Sequence, residues 1–207
     1  GWVLEKLGRK HTAGLYRHHA LVLYNLHIGE SKPKLEYLDV TQQGGSPEVI
    51  GALLGQALCS SYVTRAEDSC DQLEVVYDLT RRTIGGSVDH PELAYLLYLR
   101  GRTLLSANQI DESLDLFQKS KEMMRKATGK EKRPHFMAEV IKFVGLCYLH
   151  KQKFGLAIQN LDKSLSQLKT HFGESHPNVC EVIENKGHVY AAQIVENSEN
   201  SEQVATN

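Results

Sequence analysis

The chain has 207 residues, with 24 Lys and Arg against 25 Asp and Glu, and 41% of its residues are apolar. A chain of this length buries roughly 70% of the surface that it exposes when unfolded, which is enough for a stable body. The near balance of charge argues against nucleic-acid binding, and no apolar run approaches the roughly 18 residues of a membrane span. The four cysteines lie far apart without a CxxC spacing, so we expect a reduced, cytoplasmic protein without nucleic-acid or membrane partners.

The N-terminal stretch contains small residues at spacings that recur later in the chain. Gly1, Ala13 and Ala20 lie 28, 16 and 9 residues before Gly29. This spacing predicts the latter part of one helix, a turn and a complete second helix, so we interpret residues 1–32 as a partial repeat. Because a domain rarely starts halfway through a helix, we expect further repeats or domains upstream in the same polypeptide.

An insertion and a complete repeat follow. Residues 33–46 are polar and contain Pro33 and two adjacent glycines, which predicts a loop. Pro47 then follows a serine, a pair that is typical of a helix start because serine caps helices and proline is favoured in the first turn. We assign residues 47–90 to a repeat whose second helix ends before Gly85.

Three glycines that follow predicted second helices place the remaining repeats. Gly85, Gly129 and Gly173 are 44 residues apart, and a proline recurs near the start of each unit. The last twelve residues have almost no apolar content, which predicts disorder. The resulting boundaries are repeats at 47–90, 91–133 and 134–176, a final helix at 177–195 and a disordered polar tail at 196–207.

Small residues also recur inside the repeats. Gly101 and Gly145 both lie mid-helix, 28 residues before the glycine that ends their repeat. Glycine there costs roughly 1 kcal/mol relative to alanine, a cost that is tolerated where a neighbouring helix approaches closely. The second helices carry small residues seven positions apart, which places them on one face. These residues are Ser113 and Ser120 in one copy, and Ala157 and Ser164 in the next.

The pattern resembles the tetratricopeptide repeat (TPR), in the lengthened form of kinesin light chains and related adaptor proteins. Their units are also near 42 residues and carry a Gly-x-x-His-Pro link, which stands here as GESHP from Gly173 to Pro177 and more loosely as GGSVDHP from Gly85 to Pro91. The resemblance implies an all-α, right-handed helical solenoid of antiparallel helix pairs. It also implies a scaffold or adaptor that binds protein or peptide segments in a concave groove.

The same resemblance implies which residues line that groove, because first helices form the concave face in this family. Their aromatic and cationic side chains suit a peptide with aromatic and acidic residues, although the tyrosines could instead pack between repeats. Kinesin light chains often carry paired asparagines on this face, and only Asn185 matches, so their cargo specificity is not transferred. The candidate groove residues are Tyr95, Tyr98, Arg102, Glu139, Lys142, Leu146, His150, Asn185 and His188.

Motifs for catalysis, cofactors or metals are missing from the sequence. It has no GxSxG elbow, P-loop or GxGxxG, and its histidines lack zinc-ligand spacing, since His11 and His18 are two helical turns apart. Cys147 lies in a predicted packed helix without a basic neighbour, so we expect an unreactive thiol. We therefore expect a chain without enzymatic activity, cofactor or metal.

Two other functions stay open at this point. The repeats could be a regulatory or oligomerisation region of a larger, NTPase-linked signalling protein. They could also be an accessory helical domain of a SET/MYND-type methyltransferase, whose ending can look like HFGESHPNV. An upstream P-loop would favour the first alternative, and an upstream cysteine-rich zinc segment would favour the second.

Overall fold

A computed structural model describes residues 54, 66–84, 89–126 and 134–205. All regular structure in these ranges is helical, which confirms the predicted all-α class. The helices are α1 (Ala66–Thr83), α2 (Pro91–Ser106), α3 (Ile110–Lys126), α4 (Pro134–His150), α5 (Phe154–Phe172) and α6 (Pro177–Ala205). The predicted partial repeat at 1–32 and the insertion at 33–46 lie outside the described residues.

The chain divides into two compact units, residues 1–109 and residues 110–207. In the first unit α1 packs against α2, and in the second α3, α4, α5 and α6 pack one on the next. None of the described helices combines the length and apolarity needed to cross a membrane.

Proline and histidine together mark two of the helix starts. Proline is the first residue of α2, α4 and α6, where its missing N–H costs nothing. His90 and His176 precede Pro91 and Pro177, and each Nδ1 atom accepts a hydrogen bond of 3.2 Å from the backbone N–H two residues later. The His-Pro link therefore caps a helix, because the imidazole satisfies an amide that has no partner within the helix.

The turn that ends the first helix of a repeat has the same geometry in two successive copies. The N–H of Gln109 donates to the carbonyl of Leu104, and 44 residues later the N–H of Lys153 donates to that of Tyr148, both at 2.9 Å. The residue before each donor has a positive φ, 62° and 55°. The same turn geometry therefore recurs at the 44-residue spacing of the three glycines.

The core of the second unit explains why its small residues lie where they do. A Cβ atom built on Gly145 would lie 3.1 Å from Leu161 Cγ and 3.2 Å from the carbonyl oxygen of Ala157. The hydroxyl of Ser164 is fully buried and donates a hydrogen bond of 2.8 Å to the carbonyl of Ala138. Helices α4 and α5 thus approach too closely for a larger side chain, as the repeat predicts.

The polar C-terminal segment departs from its prediction. We expected the last helix to end near Val195 and the tail to be disordered, but α6 continues to Ala205. Neither glycine nor proline follows Gly187, and each residue added to an existing helix gains a backbone hydrogen bond at little nucleation cost. Ser198 adds a hydrogen bond of 2.7 Å from its hydroxyl to the carbonyl of Val195. The expected disorder is therefore wrong as far as Ala205.

Candidate peptide-binding face

Helix α2 brings three of the predicted groove residues together. The rings of Tyr95 and Tyr98 have their centroids 6.0 Å apart at an angle of 31°, and the guanidinium carbon of Arg102 lies 5.7 Å from the centroid of Tyr98. Tyr98 is buried, whereas Tyr95 and Arg102 are half-buried. The burial of Tyr98 fits packing better than contact with a ligand, so Tyr95 and Arg102 are the accessible members of this cluster.

On α4, the predicted cation is held inside the protein. Lys142 is only 2% exposed, and its ammonium lies 2.7 Å from Glu139 Oε2 and 3.0 Å from Glu181 Oε1. The same Nζ atom lies 4.9 Å from the ring centroid of Phe143. A buried ammonium is costly unless carboxylates neutralise it, and two do so here. Lys142 therefore ties α4 to α6 and offers no free charge to a ligand.

Sequence reasoning missed Glu181, although its position carries a usable signal. It lies four residues before Asn185 and seven before His188, so all three share one face of α6. In the structure Asn185 is half-buried, and His188 is exposed with its Nε2 atom 3.9 Å from Glu184 Oε1. The charge partner of Lys142 could have been sought among these residues.

The remaining predicted groove residues of α4 differ in how much of each side chain is exposed. Leu146 is half-buried and His150 is exposed at the end of the helix. The second carboxylate oxygen of Glu139, Oε1, is buried and accepts no hydrogen bond. The accessible groups on α4 are thus an apolar side chain and an imidazole, while the buried Oε1 atom of Glu139 is out of reach of a ligand.

Within the described residues, no three His, Cys, Asp or Glu side chains cluster in a way that could hold a metal ion. Cys147 is fully buried, and burial raises the pKa of its thiol, while the hydroxyl of Ser113, 3.6 Å from Sγ, opposes the rise. A buried thiol with a raised pKa is a poor nucleophile. The thiol of Cys147 therefore serves packing between α3 and α4.

No protein-family model and no curated protein matches the chain. Among solved structures, the chain is similar to one of TPR-like repeats from a Podosopora anserina kinesin light chain, in which the repeats are nearly identical to one another. The TM-score is 0.55 and the sequence identity is 15%, and the match covers 98% of this chain and 89% of that one. A single-substitution variant of those repeats gives a TM-score of 0.57 at 15% identity, over 98% and 88%. The similarity confirms the TPR-like repeat fold, and at this identity it shows the fold alone.

Proposed function

We propose that the chain is a scaffold without chemistry of its own, which binds peptide segments on the accessible sides of its first helices. The observation that carries the proposal is the cluster on α2. Tyr95 and Arg102 are partly accessible there, and the buried ring of Tyr98 lies between them. An aromatic ring beside a guanidinium is a frequent composition of protein-binding surfaces.

The chemistry of this cluster suits a peptide with aromatic and acidic residues. The guanidinium of Arg102 can pair with a carboxylate through two parallel hydrogen bonds, and the ring of Tyr95 offers stacking. The second unit, taken by itself, offers hydrogen-bonding groups rather than positive charge, from Asn185 and His188. Lys142, whose ammonium is held by Glu139 and Glu181, is not expected to pair with an acidic residue of a partner.

The test compares the binding of fluorescent peptides to the wild-type chain and to Arg102→Glu. An array of peptides that combine Trp, Tyr or Phe with Asp or Glu supplies the probe, and the tightest binder is measured by fluorescence anisotropy. We expect Arg102→Glu to raise its Kd at least tenfold, as for the loss of an interface contact worth about 1.4 kcal/mol. Lys163→Glu, the same charge reversal at an exposed position of α5, should leave the Kd unchanged.

Two results would contradict the proposal. The first is that no peptide of the array binds the wild-type chain. The second is that Arg102→Glu binds the selected peptide as tightly as wild type while far-UV circular dichroism shows unchanged helicity. Lys142→Glu is not a suitable variant, because it would place a third carboxylate between Glu139 and Glu181 and destabilise the fold.

A further inference from the structure

Helix α6 exposes a continuous apolar stripe on the side away from its buried face. Ile183, Tyr190 and Ile194 are 51%, 48% and 68% exposed, and Gly187 lies among them. Their spacing of four, three and four residues places all of them on one face of the helix. We call these four residues the α6 stripe. Exposed apolar side chains that lie together on one helix face are a feature of contact surfaces.

The same residues occur 42 positions earlier on α4, where they are covered. Ile141, Gly145 and Tyr148 repeat the identities and the spacing of Ile183, Gly187 and Tyr190. Ile141 is only 3% exposed, and Tyr148 packs against the core cluster that α5 helps to build. The α6 stripe therefore repeats the residues of α4 that surround its close contact with α5 at Gly145.

The two glycines show the difference directly. A Cβ atom on Gly145 would meet Leu161 and the backbone of Ala157 on α5, whereas a Cβ atom on Gly187 would meet nothing within 4 Å. The close approach for which a glycine is required in α4 has no counterpart at α6. The α6 stripe therefore keeps the shape of a helix-docking surface without a helix on it.

We infer that the α6 stripe binds an amphipathic helix of a partner protein that carries the apolar pattern of α5. That pattern is a small residue, a leucine four residues later, a small residue after three more and a leucine after another four. In α5 it consists of Ala157, Leu161, Ser164 and Leu168, all of them fully buried. The first small residue would lie against Gly187, as Ala157 lies against Gly145.

Charge and burial favour a partner protein over a second copy of this chain. Helix α6 carries five glutamates and one lysine, and Glu184 beside the stripe is 71% exposed, so pairing α6 with another α6 would bring like charges together. Within the part of the chain that the structure describes, the small-residue faces of α3 and α5 are fully buried, so neither of these helices is available to a second copy. The expected partner helix therefore has basic residues beside its apolar face.

The test uses a fluorescent peptide with the sequence of α5, Phe154–Phe172, as the probe and the whole 207-residue chain as the receptor. We expect saturable binding to wild type and a Kd at least tenfold higher for Gly187→Leu, because the added side chain fills the space that the probe needs. Gly155→Leu is the matched control, since a Cβ atom there also meets nothing within 4 Å, and its Kd should equal that of wild type. A probe with Leu161→Asp should not bind.

Several outcomes would overturn the inference. Absence of probe binding to wild type would show that the stripe does not receive such a helix. Equal Kd values for wild type and Gly187→Leu would place the binding elsewhere on the chain. Concentration-dependent dimers in sedimentation velocity that Gly187→Leu abolishes would assign the stripe to a second copy. Circular dichroism of each variant separates these results from misfolding. Arg102→Glu should leave probe binding unchanged, which keeps this test independent of the proposed peptide face.

Discussion

Replacing either Gly145 or Gly187 by alanine is the same chemical change in two helices, and the structure predicts opposite effects on stability. Both residues lie inside a helix, so each substitution should gain about 1 kcal/mol from the higher helix propensity of alanine. What differs is the space that the new methyl group enters. The surroundings of the two glycines therefore decide the sign of the change.

At Gly145 the methyl carbon would lie 3.1 Å from Leu161 Cγ and 3.2 Å from the backbone oxygen of Ala157. The leucine can shift its side chain, but the backbone oxygen moves only if α4 and α5 separate. Overpacking of this kind costs about 1–3 kcal/mol, and its middle value exceeds the gain in propensity. We therefore expect Gly145→Ala to lower the free energy of unfolding by about 1 kcal/mol and Gly187→Ala to raise it by about 1 kcal/mol.

Urea denaturation followed by far-UV circular dichroism measures both changes, and hydrogen exchange of the α5 amides locates the effect of Gly145→Ala in the second unit. In thermal unfolding, the two variants should move in opposite directions by about 3 °C each, given the size of the chain. Equal stabilisation by both substitutions would refute the reasoning, because it would mean that α4 and α5 do not approach closely at Gly145.

Two further predictions concern a helix cap and a buried charge. His176→Ala should lower the free energy of unfolding by about 1 kcal/mol, because an amide of α6 loses its acceptor. His176→Asn keeps an acceptor and should change the free energy of unfolding little. Thermal denaturation of both variants checks these expectations. Lys142→Met should lower the free energy of unfolding by about 3 kcal/mol, because it leaves two carboxylates without their cation. This value is at the lower end of the range for breaking a buried ion pair, since Glu139 and Glu181 keep partial contact with water. Adding Glu139→Gln and Glu181→Gln to this variant should recover most of the lost stability in urea denaturation. If Lys142→Met alone proves as stable as wild type, the two carboxylates need no counterion.

The helix starts and turns could be predicted from the sequence because their signals are local. Pro91, Pro134 and Pro177 each begin a helix, and the turn at Lys151–Lys153 repeats the one 44 residues earlier. Proline fixes its own φ and lacks a donor, so its preference for a first turn does not depend on the rest of the fold. The contact at Gly145 was predictable for a related reason, since glycine inside a helix is tolerated where a neighbouring helix approaches closely.

The state of the groove charges could not be predicted in this way. Lys142 lies at the position of a groove residue, but whether its ammonium faces a ligand or a carboxylate depends on Glu181, 39 residues away on another helix. Contact of this kind depends on how two helices pack, and the position of Glu181 on one face of α6 with Asn185 and His188 indicates a candidate partner without fixing the contact. The length of α6 was not predicted either. The composition of the polar segment alone suggested disorder, but the segment continues a helix that is already formed, where each added residue gains a backbone hydrogen bond.

The glycine pair shows why residue identity alone does not separate a packing surface from a binding surface in a repeat protein. Each first helix carries one face for the preceding second helix and another for the following one, so the same Ile-x3-Gly-x2-Tyr pattern occurs in α4 and in α6. On α4 Gly145 lies directly against Leu161 and Ala157 of α5, and it stabilises the fold by allowing that close contact. On α6 the same pattern is exposed, and there Gly187 costs helix stability while a Cβ atom built on it would meet nothing of the described residues within 4 Å. A helix docked on the α6 stripe would give this glycine the role that Gly145 has. Gly187→Ala should therefore stabilise the free chain and at the same time weaken its binding of the α5 probe.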